Sequence, residues 1–293
     1  MVIVDSEGQT RHSTVTSKIA IQQSSIAIQI LCHGTNESQH RKDAMFVTLM
    51  MAMLVGAKPA ALAADEQFSV YAPSQEAADA VLSEAQRAYR EIANEWLSSA
   101  NTKHVRTIIY IKANSEDAYG KSILVQRDSK RRCNIIWIHS RDDRDIDAGT
   151  LWHEIAHCVL ADRFQGALAT AIHEGCAARY DSGTRKQLIR QTTTRLAESK
   201  TWGSIIKLLE SDAIDTSDVK QYATSIAIVE FLLSQGDREK LLRFGAVGTS
   251  SDWEIAIRKH YRYQNMNEFD AAFAKWAHQK YGSQAMISQV NRK

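Results

Sequence analysis

Apolar residues recur along the chain with two periods. Phe68-Ser69-Val70-Tyr71-Ala72 alternates as a half-buried strand does, and Pro73-Ser74 then interrupts it. Beyond that break Ala78, Val81, Ala85, Ala88, Ile92 and Trp96 fall three or four residues apart, which predicts a helix to about Leu97 with one buried stripe. Two β-branched runs follow, Val105 to Lys112 and Asn134-Ile135-Ile136-Trp137-Ile138-His139, with Ile123-Leu124-Val125 between them as a further short strand. Helical spacing returns in Leu151, Ile155, Cys158 and Val159. The later half reads as helices near 183–199, 202–211, 217–234, 237–245, 251–262 and 267–281, with Gly236 and Gly245 at expected ends. Trp253, Phe269, Phe273 and Trp276 sit at helical spacings and read as packing residues. No internal repeat is present. The pattern is that of an α+β chain: a small twisted sheet with one backing helix, a second helix over 151–160, then a mostly helical lobe.

The first sixty-odd residues behave differently. Residues 1–44 are rich in Ser, Thr, Gln and His and lack periodicity, as in a disordered leader or one that is not translated. Residues 45–64 then combine a preceding basic pair, Arg41-Lys42, an apolar run from Phe46 to Ala57, and the small-residue stretch Lys58-Pro59-Ala60-Ala61-Leu62-Ala63-Ala64. Those are the three parts of a secretory signal, with cleavage expected after Ala63 or Ala64. A membrane anchor and a buried core helix are the other readings of the run. The signal reading predicts an exported protein, periplasmic or secreted, with no stable membrane insertion after cleavage. It also divides the rest into 65–165, an upper lobe, and 166–293, a helical lobe.

Composition narrows the partners. The chain has 293 residues, 44% hydrophobic and 24% charged, and a formal net charge of +2. That balance is ordinary for a globular protein and too near zero for nucleic acid to be the main partner. Four cysteines, Cys32, Cys133, Cys158 and Cys176, are too few for a disulfide framework. Cys158 and Cys176 flank the candidate site, either bridged or packed behind it as small buried residues.

Candidate chemistry lies in Leu151-Trp152-His153-Glu154-Ile155-Ala156-His157-Cys158-Val159-Leu160. Residues four apart on a helix lie one above the other, so His153 and His157 can offer imidazole nitrogens to one metal ion with Glu154 beside it. The acidic residues Asp142, Asp143, Asp145 and Asp147 lead into the start of that helix, where negative charge is favoured. A catalytic zinc site has three protein ligands and an open position. A metzincin continuation would need Gly at 160 and His at 163; Leu160 and Arg163 exclude it. Seventeen residues past His157 stands Glu174, in Ala171-Ile172-His173-Glu174-Gly175-Cys176-Ala177-Ala178-Arg179-Tyr180, with His173 as the rival third ligand.

These residues carry a resemblance. H-E-I-A-H at 153–157 followed by H-E-G-C-A at 173–177 resembles the gluzincins, and within them the bacterial peptidase MA-like group, whose usual E-G-x-A follows a short connector. The likeness continues in Tyr222-Ala223-Thr224-Ser225-Ile226-Ala227-Ile228-Val229, Leu232-Leu233, Gly236 and Lys240-Leu241-Leu242, then Trp253-Glu254-Ile255-Ala256-Ile257 and the stretch to Trp276, so it spans about 68–281. The connector Ala161 to Ile172 departs from the group by lacking a Pro-Trp lead-in. The resemblance implies a zincin-like fold and a zinc metallopeptidase acting on a peptide or protein. His153, His157 and Glu174 would hold Zn2+, and Glu154 would be the general base. For the oxyanion donor it points to Tyr222, with His260 and Tyr261 as weaker substitutes. The other expectation is a catalytically inactive zinc-binding relative, a protein or cell-wall interaction module. A structural zinc site would need a fourth protein ligand, for example Cys176.

Overall fold

The structure is a computed structural model. It describes residues 61–97, 105–113, 115, 119–126, 132–142, 146–164, 168–211, 213–215 and 218–290, without the side chains of 124–126, 132 and 283–290. Apart from Gln126 they belong to one compact unit, Pro59–Val125 with Arg132–Lys293. The leader 1–44 and the run Phe46 to Ala57 lie outside the described residues.

Five strands form one mixed sheet: β1 Ala61–Ala64, β2 Phe68–Ala72, β3 Arg106–Lys112, β4 Tyr119–Gln126 and β5 Arg132–His139, in the order β1-β2-β3-β5-β4. β1 is antiparallel to β2, and β2, β3 and β5 are mutually parallel. The alternation seen in β2 is explained by register. Val70 lies opposite Ile109 and Ile109 opposite Ile136, and all three are fully buried on one face. β1 was expected to belong to the signal segment. Its four residues pair with β2, Ala63 is buried, and both expected cleavage points fall at its carboxyl end.

Helix α1, Gln75–Trp96, connects β2 to β3. The Ser74 hydroxyl accepts from the Ala77 N–H at 3.2 Å and caps its start, and the stripe Ala78, Val81, Ala85, Ala88, Ile92, Trp96 is buried as the spacing predicts. α2, Ala148–Phe164, packs against α1 and β5. It carries no single apolar stripe: every residue from His153 to Ala161 is buried, because the sheet and α1 cover one side and the helical lobe the other. Asp147 precedes it and caps it, its carboxylate accepting from the Thr150 N–H and hydroxyl at 2.8 Å each.

The helical lobe follows: α3 Thr170–Ala177, a 3-10 turn Ala178–Tyr180, α4 Gly183–Ser199, α5 Ile205–Leu209, α6 Val219–Ser234, α7 Arg238–Ser250, α8 Trp253–Tyr261 and α9 Met266–Val290. α3 packs on α6, which also contacts α4. Gly245 does not end α7 as expected. It lies inside the helix, where Leu168 and Ile172 approach so closely that a Cβ would overlap them. Phe231, Phe244, Phe269 and Phe273 fill the lobe's core, with Trp253 edge-on to Phe244 at 5.3 Å, so the expected packing role of these aromatics holds.

Candidate metal centre

α2 and α3 bring the candidate ligands together. His153 and His157 are one helical turn apart, and their Nε2 atoms are 3.0 Å from each other. Glu174 reaches in from α3, with Oε1 3.6 Å from His157 Nε2 and Oε2 3.7 Å from His153 Nε2. Among the described residues these three form the group whose donor atoms converge enough to hold an ion. Donors 2.0–2.1 Å from a tetrahedral zinc ion would be about 3.3 Å apart, and the observed triangle of 3.0, 3.6 and 3.7 Å brackets that spacing. A second observation fits an ion: Glu174 Oε2 is buried and accepts no hydrogen bond. A buried carboxylate oxygen without a donor is costly, and a cation between it and the imidazoles removes the cost.

The third-ligand position is available because α6 lies almost against α3. At Gly175 a Cβ would stand 2.7 Å from Val229 Cγ2 and would overlap the Ser225 carbonyl. Cys176 and Ala177 beside it are fully buried. Small residues after Glu174 are therefore what lets α3 lie flat on α6. His173, the rival ligand, points elsewhere: its Nδ1 lies 3.2 Å from His157 Nδ1, on the ring edge away from the triangle. Cys176 is not in the donor group, and Cys158 and Cys176 are both free thiols.

Asp181 was not singled out in the sequence. Its carboxylate is only 2% exposed, accepts from the Tyr222 hydroxyl at 2.9 Å, and lies 3.2 Å from His153 Nδ1. The Tyr222 oxygen is itself 3.1 Å from that Nδ1. Since the hydroxyl proton goes to Asp181, the oxygen is left to accept from Nδ1–H, so the proton that a cation would displace is the one on Nε2, which faces the triangle. Tyr222 thus stands behind His153 rather than on the open side where an oxyanion would form. His260 and Tyr261 lie on α8 and are not among the residues lining the cavity at the triangle, and the Tyr261 ring is edge-on to Phe244 at 5.2 Å. Arg185, from the first turn of α4, does reach the site. It lies over the Tyr222 ring at 4.4 Å and its Nε is 3.4 Å from Asp181.

No protein-family model, curated protein or solved structure matches this chain.

A cavity of about 740 Å³ opens onto the triangle, lined among others by Gly120, Ser122, His153, Glu154, His173 and Arg185. The charges inside it are set by burial and neighbours. Burial would lower the pKa of His153, but Asp181, Glu174 and Glu154 outweigh it and hold it at about 9. His157 goes the other way, lowered to about 4 by burial, and two imidazoles 3.0 Å apart cannot both be protonated. His173 is lowered to about 3, also chiefly by burial. Burial acts against the Glu174 carboxylate, yet the histidines hold it down at about 2. Glu154 is raised above the usual carboxylate range by burial, only partly offset by His153 and the Ser122 hydroxyl. β4 crosses so close that a Cβ at Gly120 would lie 2.7 Å from Glu154 Oε1.

Proposed function

We propose that this chain is a zinc-dependent peptidase of the gluzincin kind, in which His153, His157 and Glu174 hold the ion and Glu154 is the general base. The observation that carries the reading is the Nε2, Nε2, carboxylate triangle with an orphaned Glu174 oxygen, opening onto a cavity that Glu154 also lines. Zinc bound there would supply Lewis acidity, bringing the pKa of a water to about 7 and polarising a carbonyl.

The chain's own residues supply the rest. Glu154, whose pKa burial raises above the usual carboxylate range, takes the proton from water and returns it to the leaving amine. Asp181 and Tyr222 hold His153 in the tautomer that presents Nε2, and His173 backs His157 in the same manner. Ser122 and Gly120 of β4 fix the carboxylate of Glu154 from above. Arg185 is the cation that the helical lobe contributes to the cavity wall. Export, and with it a zincin-like upper lobe working outside the cytoplasm, belongs to the same proposal, its support being the signal-like composition of residues 45–64.

The test is hydrolysis of a denatured-protein mixture by the zinc-loaded chain beside Glu154→Gln. Cleavage by the wild type, and none by a variant that still binds zinc, is the expected result. An inert wild type, or a variant that cuts equally well, would sink the peptidase reading.

A further inference from the structure

A second cavity, of about 510 Å³, lies where α4, α6 and α9 meet and is capped by the 3-10 turn. Its size suits a small ligand. Four cationic side chains line it, Arg179, Lys186, Arg190 and Lys280, against one carboxylate, Glu230. Two of the four are engaged: Lys280 Nζ is 2.7 Å from Glu230, which also accepts from the Tyr281 hydroxyl at 2.6 Å, and Arg179 is 3.6 Å from Glu95. Asp181 is taken by Arg185. Lys186 and Arg190 therefore have no carboxylate partner among the described residues, and the Arg179 Nε is buried without an acceptor.

The charge is concentrated against local preference. α4 carries Arg185, Lys186, Arg190 and Arg195 but a single acid, Glu198, in a chain whose totals are 36 basic and 34 acidic residues. Glu198 is eight residues beyond Arg190, about 12 Å along the helix axis. Lys186 and Arg190 are four apart on one face, an arrangement that costs a few tenths of a kcal/mol in like-charge repulsion. Lys186 stands in the first turn of α4, where the helix dipole disfavours cations and where no acid stands. An isolated helix would not choose this pattern; an anion in the cleft offsets each of these costs.

We propose that the cleft binds a small phosphorylated ligand, with Lys186 and Arg190 gripping the phosphate oxygens, Arg179 closing the far side, and the apolar floor of Ile189 and Ile226 taking the organic part. The inference is independent of the metal centre, since the lining of this cavity includes none of His153, His157 and Glu174.

Calorimetric titration of the full chain with inorganic phosphate tests it. Saturable binding is expected, weakened about ten-fold or more in Lys186→Gln/Arg190→Gln, as loss of two charge-assisted contacts requires. Glu230→Gln should bind more tightly. Arg258→Gln/Lys259→Gln, an equal loss of charge on α8, should change nothing. Phenyl phosphate and succinate are run as competitors: displacement by the former and not the latter supports a phosphate ester. Absence of saturable binding, preference for succinate, or an equal loss in the α8 variant would overturn the proposal.

Discussion

Replacing Asp181 by Asn keeps the shape of a side chain that is 2% exposed and removes only its charge. In the wild type one carboxylate faces three hydrogen-bond donors: the Tyr222 hydroxyl at 2.9 Å, His153 Nδ1 at 3.2 Å and Arg185 Nε at 3.4 Å. An amide has one acceptor oxygen and turns an NH2 towards at least one of those donors, so the His153 proton is no longer held on Nδ1. Groups that orient a metal-binding histidine are worth roughly ten- to a hundred-fold in metal affinity, about 1.4–2.7 kcal/mol. Asp181→Asn should weaken zinc binding by that factor, measured by competition with a chromophoric chelator. Tyr222→Phe, which removes the hydroxyl but leaves the Asp181 carboxylate 3.2 Å from His153 Nδ1 to orient the ring, should fall short of it by several-fold. The reasoning fails if Asp181→Asn binds zinc as tightly as the wild type, or if Tyr222→Phe is the more damaging change.

Other consequences can be measured. Gly175→Ala must push α6 away from α3, because its Cβ would stand 2.7 Å from Val229 Cγ2 and overlap backbone as well; urea unfolding should show a loss of about 1–3 kcal/mol or more. Asp147 is held below the usual carboxylate range: burial would raise it, but the Ser182 and Thr150 hydroxyls and the Thr150 N–H outweigh burial. Its stabilising effect is complete above the ordinary aspartate pKa and disappears as pH falls through the depressed value, so Asp147→Ala should cost about 1 kcal/mol at neutral pH and nothing in strong acid. Cys133 is pushed up to about 11, chiefly by burial, and Cys158 and Cys176 are raised by burial as well. Mass-spectrometric mapping of alkylation near neutral pH should find these three unmodified until the chain is unfolded. Sequencing the amino terminus of a secreted product should place processing before Ala61, since Ala61–Ala64 are paired with β2.

Much of the fold was legible because it rests on local periodicity. The α1 stripe, the β2 alternation and the span of α4 were read from spacing alone, and so was the α+β class. The donor set was legible for the same reason, two histidines a helical turn apart and a glutamate among small residues. What escaped was set by distant packing. Asp181 is a lone aspartate before a helix, with no spacing to mark it; its role exists only because α6 brings Tyr222 to the same histidine. Tyr222 was picked out by its place at the start of α6, but position along the chain says nothing of which edge of His153 it meets. Gly245 reads as a stop signal until Leu168 and Ile172 are seen against it. β1 goes unmarked as a strand because four small or apolar residues have no period long enough to declare one.

The three donor residues span only His153 to Glu174, while Asp181 and Tyr222 arrive from farther along the chain. Closing so short a loop costs little entropy, so in the proposed metal site gathering the donors and orienting them would be separable. In the proposed site the donors come from α2 and α3, while α6, which seats α3 and carries Tyr222, would tune how well they hold an ion. Changes confined to α6 should therefore grade the affinity of the site continuously, without ever needing to touch a ligand.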